Sequence, residues 1–184
     1  MKQKLLLILL LTFTVMGAQE VTHVDFDTNN ASIVFNSWNT SSTFAKVANP
    51  VSDAINPSAF VGQFTAGGDN GIGIGVIDAT TVFTSPFNLA SNSIFKMKVF
   101  STEEIEVTFH LENAPDWGNN IEAKASVGAA DINKWTELSF DFGSFSNIYM
   151  NNIVIIIGGA NTTSGDIYFF DDIKGPELYS SPAQ

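Results

Sequence analysis

Two neighbouring stretches of the chain alternate with a period of two. In Ile105–Glu112, the residues Ile105, Val107, Phe109 and Leu111 fall on one side, and Glu106, Thr108, His110 and Glu112 on the other. In Ile94–Phe100, Phe95, Met97 and Val99 alternate with Lys96 and Lys98. Side chains of a strand point alternately to its two faces. Each stretch therefore reads as a strand with one buried and one polar face, as in an antiparallel sheet packed on one side. No segment has a helical period long enough to compete. Further strands, rich in Phe, Val, Ile and Thr, are predicted at His23–Asp27, Ser32–Phe35, Thr43–Val47, Ala59–Thr65, Gly71–Ile77, Phe83–Leu89, Glu122–Ser126, Lys134–Phe142, Asn152–Ile157 and Ile167–Ile173. Turn residues separate them, among them Asn49-Pro50, Gly67-Gly68-Asp69-Asn70 and Gly118-Asn119-Asn120. Asn152–Ile157 is apolar on both faces, which predicts a mid-sheet strand covered on both sides. Many short strands at this spacing predict an all-β chain, an antiparallel β-sandwich or jelly roll.

The chain has 184 residues, enough for one domain whose core needs no staples. Cysteine is absent, which excludes disulfides, thiolate metal sites and cysteine nucleophiles. All eight basic residues are lysines, against 19 Asp and Glu, and the net charge is -11. An acidic chain without arginine lacks the cationic surface that nucleic acid or an acidic membrane requires. At the N-terminus, Lys2 and Lys4 precede an apolar run from Leu5 to Val15, which ends in the small residues Gly17 and Ala18. Residues 1–18 thus have the layout of a secretory signal peptide, and the run is too short to span a bilayer. The expected mature domain is 19–176, with 177–184 as a tail or linker start. The protein is then secreted, extracellular or periplasmic, with no membrane contact after cleavage.

Several segments occur in a recognisable order: VDFD (Val24–Asp27), VANP (Val47–Pro50), INPSAFVGQF (Ile55–Phe64), IFKMKVFS (Ile94–Ser101), FHLEN (Phe109–Asn113), WTELSFDF (Trp135–Phe142) and IYFFDDIKGPEL (Ile167–Leu178). Together they resemble the galactose-binding-like jelly-roll modules of secreted Bacteroidetes proteins, over about residues 22–178. Such modules accompany laminarinases, agarases and other polysaccharide-degrading enzymes. The resemblance implies a carbohydrate-binding module with a polysaccharide as partner, and a catalytic domain or enzyme beside it.

The resemblance also implies a structural Ca²⁺ where the first and last strands meet. Asp25 and Asp27 lie at the first strand, and Asp171 and Asp172 in the last. Carboxylates are the hard oxygen ligands this ion takes. The other reading leaves these acids solvated at strand ends. Neighbours on a strand point to opposite faces, so one of Asp171 and Asp172 is expected to reach the ion, and which one stays open.

Sugar rings stack on exposed aromatic faces, and their hydroxyls take planar polar groups. Trp117 fits, in a polar segment with Asn113, Asp116, Gly118, Asn119 and Asn120 that reads as a loop. Trp38, in Asn36-Ser37-Trp38-Asn39, is a second candidate. Local packing is the competing reading for both. Trp135 belongs to the resembling scaffold. A third candidate is the polar face of the two alternating strands, where Lys96, Lys98, Glu106, His110 and Glu112 line one surface, joined by Lys124. The plainer reading of that face is solvated cross-strand ion pairs.

Catalytic signatures are thin. His23 and His110 are the only histidines, and neither sits in a metalloprotease pattern. No nucleophile-elbow or Walker A sequence is present. His110 with Lys98 or Glu112 is the one cluster that a small jelly-roll lyase or hydrolase could use. The leading expectation is a secreted, non-catalytic module for β-glucan or another algal or plant glycan. A structural or adhesion sandwich without glycan is the alternative.

Overall fold

The computed structural model describes residues 20–28, 35–36, 42–67, 76–77, 83–158 and 162–180. The expected signal peptide and Trp38 lie outside them. Among the described residues the chain forms eleven strands and one short 3₁₀ turn at Gly143–Phe145. The strands are β1 (Glu20–Val24), β2 (Phe35–Asn36), β3 (Thr43–Ala48), β4 (Phe60–Thr65), β5 (Val76–Ile77), β6 (Ile94–Phe100), β7 (Ile105–Asn113), β8 (Asp116–Val127), β9 (Trp135–Asp141), β10 (Asn152–Gly158) and β11 (Ile167–Pro176). All pair antiparallel into two sheets. Sheet A runs β3-β4-β11-β6-β9, with β1 also on β11, and sheet B runs β2-β5-β10-β7-β8.

The alternation of β6 and β7 decides how the sheets meet. Phe95, Met97 and Val99 of sheet A and Ile105, Val107, Phe109 and Leu111 of sheet B are buried in one core. The rings of Phe95 and Phe109 lie 5.0 Å apart across it. Phe35 reaches Phe170 at 5.3 Å, and Phe109 reaches Phe140 at 5.1 Å. Burial of this apolar surface from both sheets is the main force holding the sandwich. A second apolar cluster, Val61, Phe100 and Trp135, sits on the outer face of sheet A. The Trp135 indole donates to the Val51 carbonyl at 2.6 Å and so fastens the segment between β3 and β4 over that cluster.

β10 lies between β5 and β7, in the middle of sheet B, and Asn152 to Ile155 are all buried. The strand expected at Phe83–Leu89 does not form; Phe87 makes a single bridge to Leu178. Pro86 has no amide to donate, and the segment instead crosses the end of the sandwich. Its contacts carry the backbone on past β11: Asn88 N–H donates to Glu177 O and Tyr179 N–H to Pro86 O, both at 2.8 Å.

Candidate functional site

Because the apolar faces of β6 and β7 meet in the core, their polar faces point in opposite directions. The shared surface expected for Lys96, Lys98, Glu106, His110 and Glu112 therefore does not exist. Lys96 and Lys98 stand on the outer face of sheet A, where Lys96 pairs with Glu20 at 2.8 Å. Glu106, His110 and Glu112 stand on the outer face of sheet B, with Lys124 of β8. The His110–Lys98 pairing considered for catalysis is separated by the whole sandwich.

The outer face of sheet B is built in register. Across β10, β7 and β8 its rows read Asn152–Glu112–Asn120, Val154–His110–Glu122 and Ile156–Thr108–Lys124. Exposure falls from the edge strand inwards. Glu106 and Lys124 are half exposed and pair at 3.0 Å, a contact worth little in water. The His110 and Glu112 side chains keep only 14% and 7% of their exposure, and Asn152 is fully buried. His110 Nε2 lies 3.7 Å from Glu112 Oε1, too far for a hydrogen bond. Asn152 Nδ2 donates to Glu112 Oε2 at 3.4 Å. Both ring nitrogens of His110 and the Oδ1 of Asn152 are buried with no hydrogen-bond partner. Such orphaned groups cost about 1–3 kcal/mol each.

Asn152 was not among the residues the sequence singled out. Its signal was present, as the one polar side chain opening the run NIVIII.

The hairpin between β7 and β8 reverses at Ala114–Pro115, a cis peptide, with Asn113 opposite Asp116. Asn151 pins it, accepting from the Ala114 amide at 2.7 Å. The expected loop through Gly118–Asn120 is therefore strand. Trp117, Gly118 and Asn119 are extra residues in β8, inserted between the pairs Asn113–Asp116 and Glu112–Asn120. This makes a wide bulge at the end of the outer face of sheet B.

The corner where β1 meets β11 gathers three acids. Carboxylate oxygens of Asp25, Asp171 and Asp172 all lie within 4.8 Å of one another. Asp27 is not with them: its two oxygens accept the amides of Phe60 at 2.7 Å and Ala59 at 3.0 Å. Both members of the last-strand pair join the group, against the alternation rule, because β11 carries a bulge there. Its register slips between Asp171 and Lys174, and Asp172 has φ of 48°.

Asp171 is fully buried, and its Oδ2 has no partner. Burial pushes its pKa upward, helped by the charge of Asp172 and only partly opposed by hydrogen bonds from Ser58, the Asp172 amide and Asn56. For Asp25, burial works the same way but is outweighed by donors from the Asp27 amide and Thr28, which hold its carboxyl below the ordinary range. Lys98 Nζ sits 2.6 Å from Asp172. An all-oxygen donor set with a buried, unpartnered carboxylate oxygen fits a hard cation such as Ca²⁺.

No protein-family model matches the chain, and no curated protein matches it in sequence. Solved structures match it in fold. The family 11 carbohydrate-binding module of the cellulosomal cellulase Lic26A-Cel5E of Clostridium thermocellum aligns with a TM-score of 0.57 at 13% identity, covering 89% of this chain and 98% of the module. The CBM22-1 xylan-binding domain from Paenibacillus barcinonensis Xyn10C aligns at 0.54 and 11% identity, covering 90% and 98%. The CBM22-1–GH10 modules of a Clostridium thermocellum endo-1,4-β-D-xylanase, complexed with xylohexaose, align at 0.50 and 15% identity; the match covers 86% of this chain but only 28% of that one. The chain shares the antiparallel β-sandwich jelly roll of these modules.

Proposed function

We propose that this protein is a non-catalytic carbohydrate-binding module of galactose-binding-like type that takes an uncharged polysaccharide on the outer face of sheet B. The observation that carries the reading is the set of buried, unpartnered polar atoms on that face: His110 Nδ1 and Nε2, and Asn152 Oδ1. Buried polar groups are ordinarily satisfied, so a group left open wants a partner from outside. A sugar hydroxyl both donates and accepts. The imidazole, the Asn152 amide and the Glu112 carboxylate offer the planar groups that bind neighbouring hydroxyls. Exposure decreases across this face from Lys124 of β8 to Asn152 of β10. Asn113, Asp116 and Trp117 lie at its end by their place in β7 and β8.

The structural neighbours support the class of ligand, since one is a xylan-binding domain and another was solved with xylohexaose. With no arginine and a net charge of -11, a neutral glycan suits the chain better than a sulfated or carboxylated one. β-Glucan or another plant or algal polysaccharide is the class to test. The separation of Lys98 from His110 favours binding over bond breaking. In this reading residues 1–18 direct export, and a catalytic enzyme acts on the same glycan. Asp25, Asp171 and Asp172 would hold a Ca²⁺ that ties β1 to β11 and supplies charge balance, not chemistry.

The test is native affinity electrophoresis of the mature chain in gels containing laminarin, mixed-linkage glucan or xylan. Retardation in at least one gel is expected, and Glu112→Gln should relieve it. A folded protein that no gel retards would favour the structural or adhesion sandwich instead.

A further inference from the structure

The phenylalanines of this chain lie largely in the core, and Tyr168 is buried with them. Tyr149 breaks the pattern at 62% exposure, the highest among the exposed large hydrophobic residues described. Its ring lies 6.0 Å from that of Tyr179, tilted by 47°. Among the described residues neither hydroxyl has a hydrogen-bond partner. The two residues come from distant parts of the chain, and a backbone ladder fixes their spacing. Phe87 N–H donates to Met150 O at 2.8 Å, and Tyr179 N–H donates to Pro86 O at 2.8 Å. Three segments thus run side by side, with the tyrosines on the outer two. Tyr179 is half-buried, whereas Tyr149 leaves most of its surface open to solvent.

We infer that Tyr149 and Tyr179 form a second carbohydrate-contact site, at the end of the sandwich, that stacks a pyranose ring of the same uncharged glycan. This rests on the proposed function for the class of ligand. Tyrosine offers a large, stiff, amphipathic face that loses little entropy on binding. The exposed acid Glu177, two residues before Tyr179, disfavours an anionic sugar. Asn152 is three positions along the chain from Tyr149, which limits their distance to about 11 Å. One glycan chain can therefore reach both the tyrosines and the orphaned groups on sheet B.

The test compares wild type, Tyr149→Ala, Tyr149→Phe and Glu112→Gln by affinity electrophoresis and titration calorimetry, using laminarin, barley mixed-linkage glucan and xylan. Thermal melts check the fold. Tyr149→Ala should weaken the bound polysaccharide about five- to tenfold, the usual loss for an aromatic anchor. Tyr149→Phe keeps the ring and should retain binding. Full affinity in Tyr149→Ala, with loss in Glu112→Gln, would overturn the tyrosine site and leave the sheet face standing. Loss in Tyr149→Ala alone would support the tyrosines and move the main site off sheet B. Absence of wild-type binding to all three polymers would overturn both.

Discussion

Lys98 Nζ lies 2.6 Å from Asp172 Oδ2, at a corner that Asp172 shares with Asp25 and Asp171. One of three clustered carboxylates thus has a lysine on it, and Lys174 stands 3.9 Å from the same oxygen. Among the described residues no lysine pairs with Asp25 or Asp171; Asp171 is the buried one of the two, and burial raises its pKa. The sign follows. The folded chain holds that proton more tightly than the unfolded chain, so this group lowers stability as pH rises from the unfolded value through the folded one. Above that window the buried carboxylate is a burden unless a cation joins it. A ligand at a hundred times its dissociation constant stabilises by about 2.7 kcal/mol, roughly 5–10 °C for a domain of this size. Ca²⁺ should raise the melting temperature by that order over EDTA. Asp171→Asn should abolish the increment while melting no lower than wild type in EDTA. Identical wild-type melts in the two buffers would mean that Lys98 and Lys174 supply all the counter-charge this corner uses.

His23 is the extra residue in the bulge of β1 and points into the core, 5.2 Å from the Phe87 ring. Its Nε2 donates to the Pro176 carbonyl at 2.9 Å. Burial pushes its pKa below 6.5, and the bond to Pro176 only partly opposes this. Below that pH the unfolded chain takes up a proton that the folded chain resists. The contribution of His23 is therefore complete above pH 6.5 and drains as pH falls toward the folded pKa. Urea midpoints at about pH 7.5 and about pH 5 should differ more for wild type than for His23→Gln. At the higher pH the substitution should cost about 1–3 kcal/mol through the Pro176 carbonyl. Equal pH differences in both proteins would place the acid sensitivity elsewhere.

These two sites mark where local pattern stops being informative. The alternation in β6 and β7 is legible because it follows from the pleat. It carries no sign of which sheet each strand joins. Lys98 and His110 look alike in sequence, yet the meeting of their apolar neighbours sends them to opposite surfaces. The convergence of Asp171 and Asp172 needs a bulge and a positive φ at an aspartate, which no spacing announces. Gly118-Asn119-Asn120 has the composition of a turn, but Ala114–Pro115 makes the reversal and leaves the glycine in a strand bulge. Asn152 was the missed opportunity: a lone amide in an apolar run has to be satisfied or used.

Gly175 shows how closely β11 is laid on the core. A Cβ there would overlap the Phe95 ring. That ring is fully buried, with Phe87, Phe109 and Phe142 at 5.1, 5.0 and 5.8 Å, so it has no room to turn aside. Gly175→Ala should cost about 1–3 kcal/mol by overpacking, lowering the melting temperature by roughly 2–10 °C. Phe95→Leu removes the ring edge that the methyl meets, so the double variant should lose less than the sum of the singles. Strict additivity would mean that the strain lies in the backbone of β11 rather than against Phe95.

His110 separates a ligand group from a packing group most directly. Both its ring nitrogens are buried and unpartnered, and its neighbour Glu112 stays 3.7 Å away. A side chain kept for packing would be better served by leucine, which fills a similar volume with no polar atom to satisfy. His110→Leu should therefore melt at or above the wild-type temperature. If the imidazole serves a sugar hydroxyl, the same change should weaken polysaccharide binding about tenfold, the loss of one charged or well-aligned hydrogen bond. Stability gained and affinity lost together is the signature of a residue retained for its ligand. A variant that melts lower and binds as before would make His110 a packing residue, leaving Glu112 and Asn152 as the groups that read the glycan.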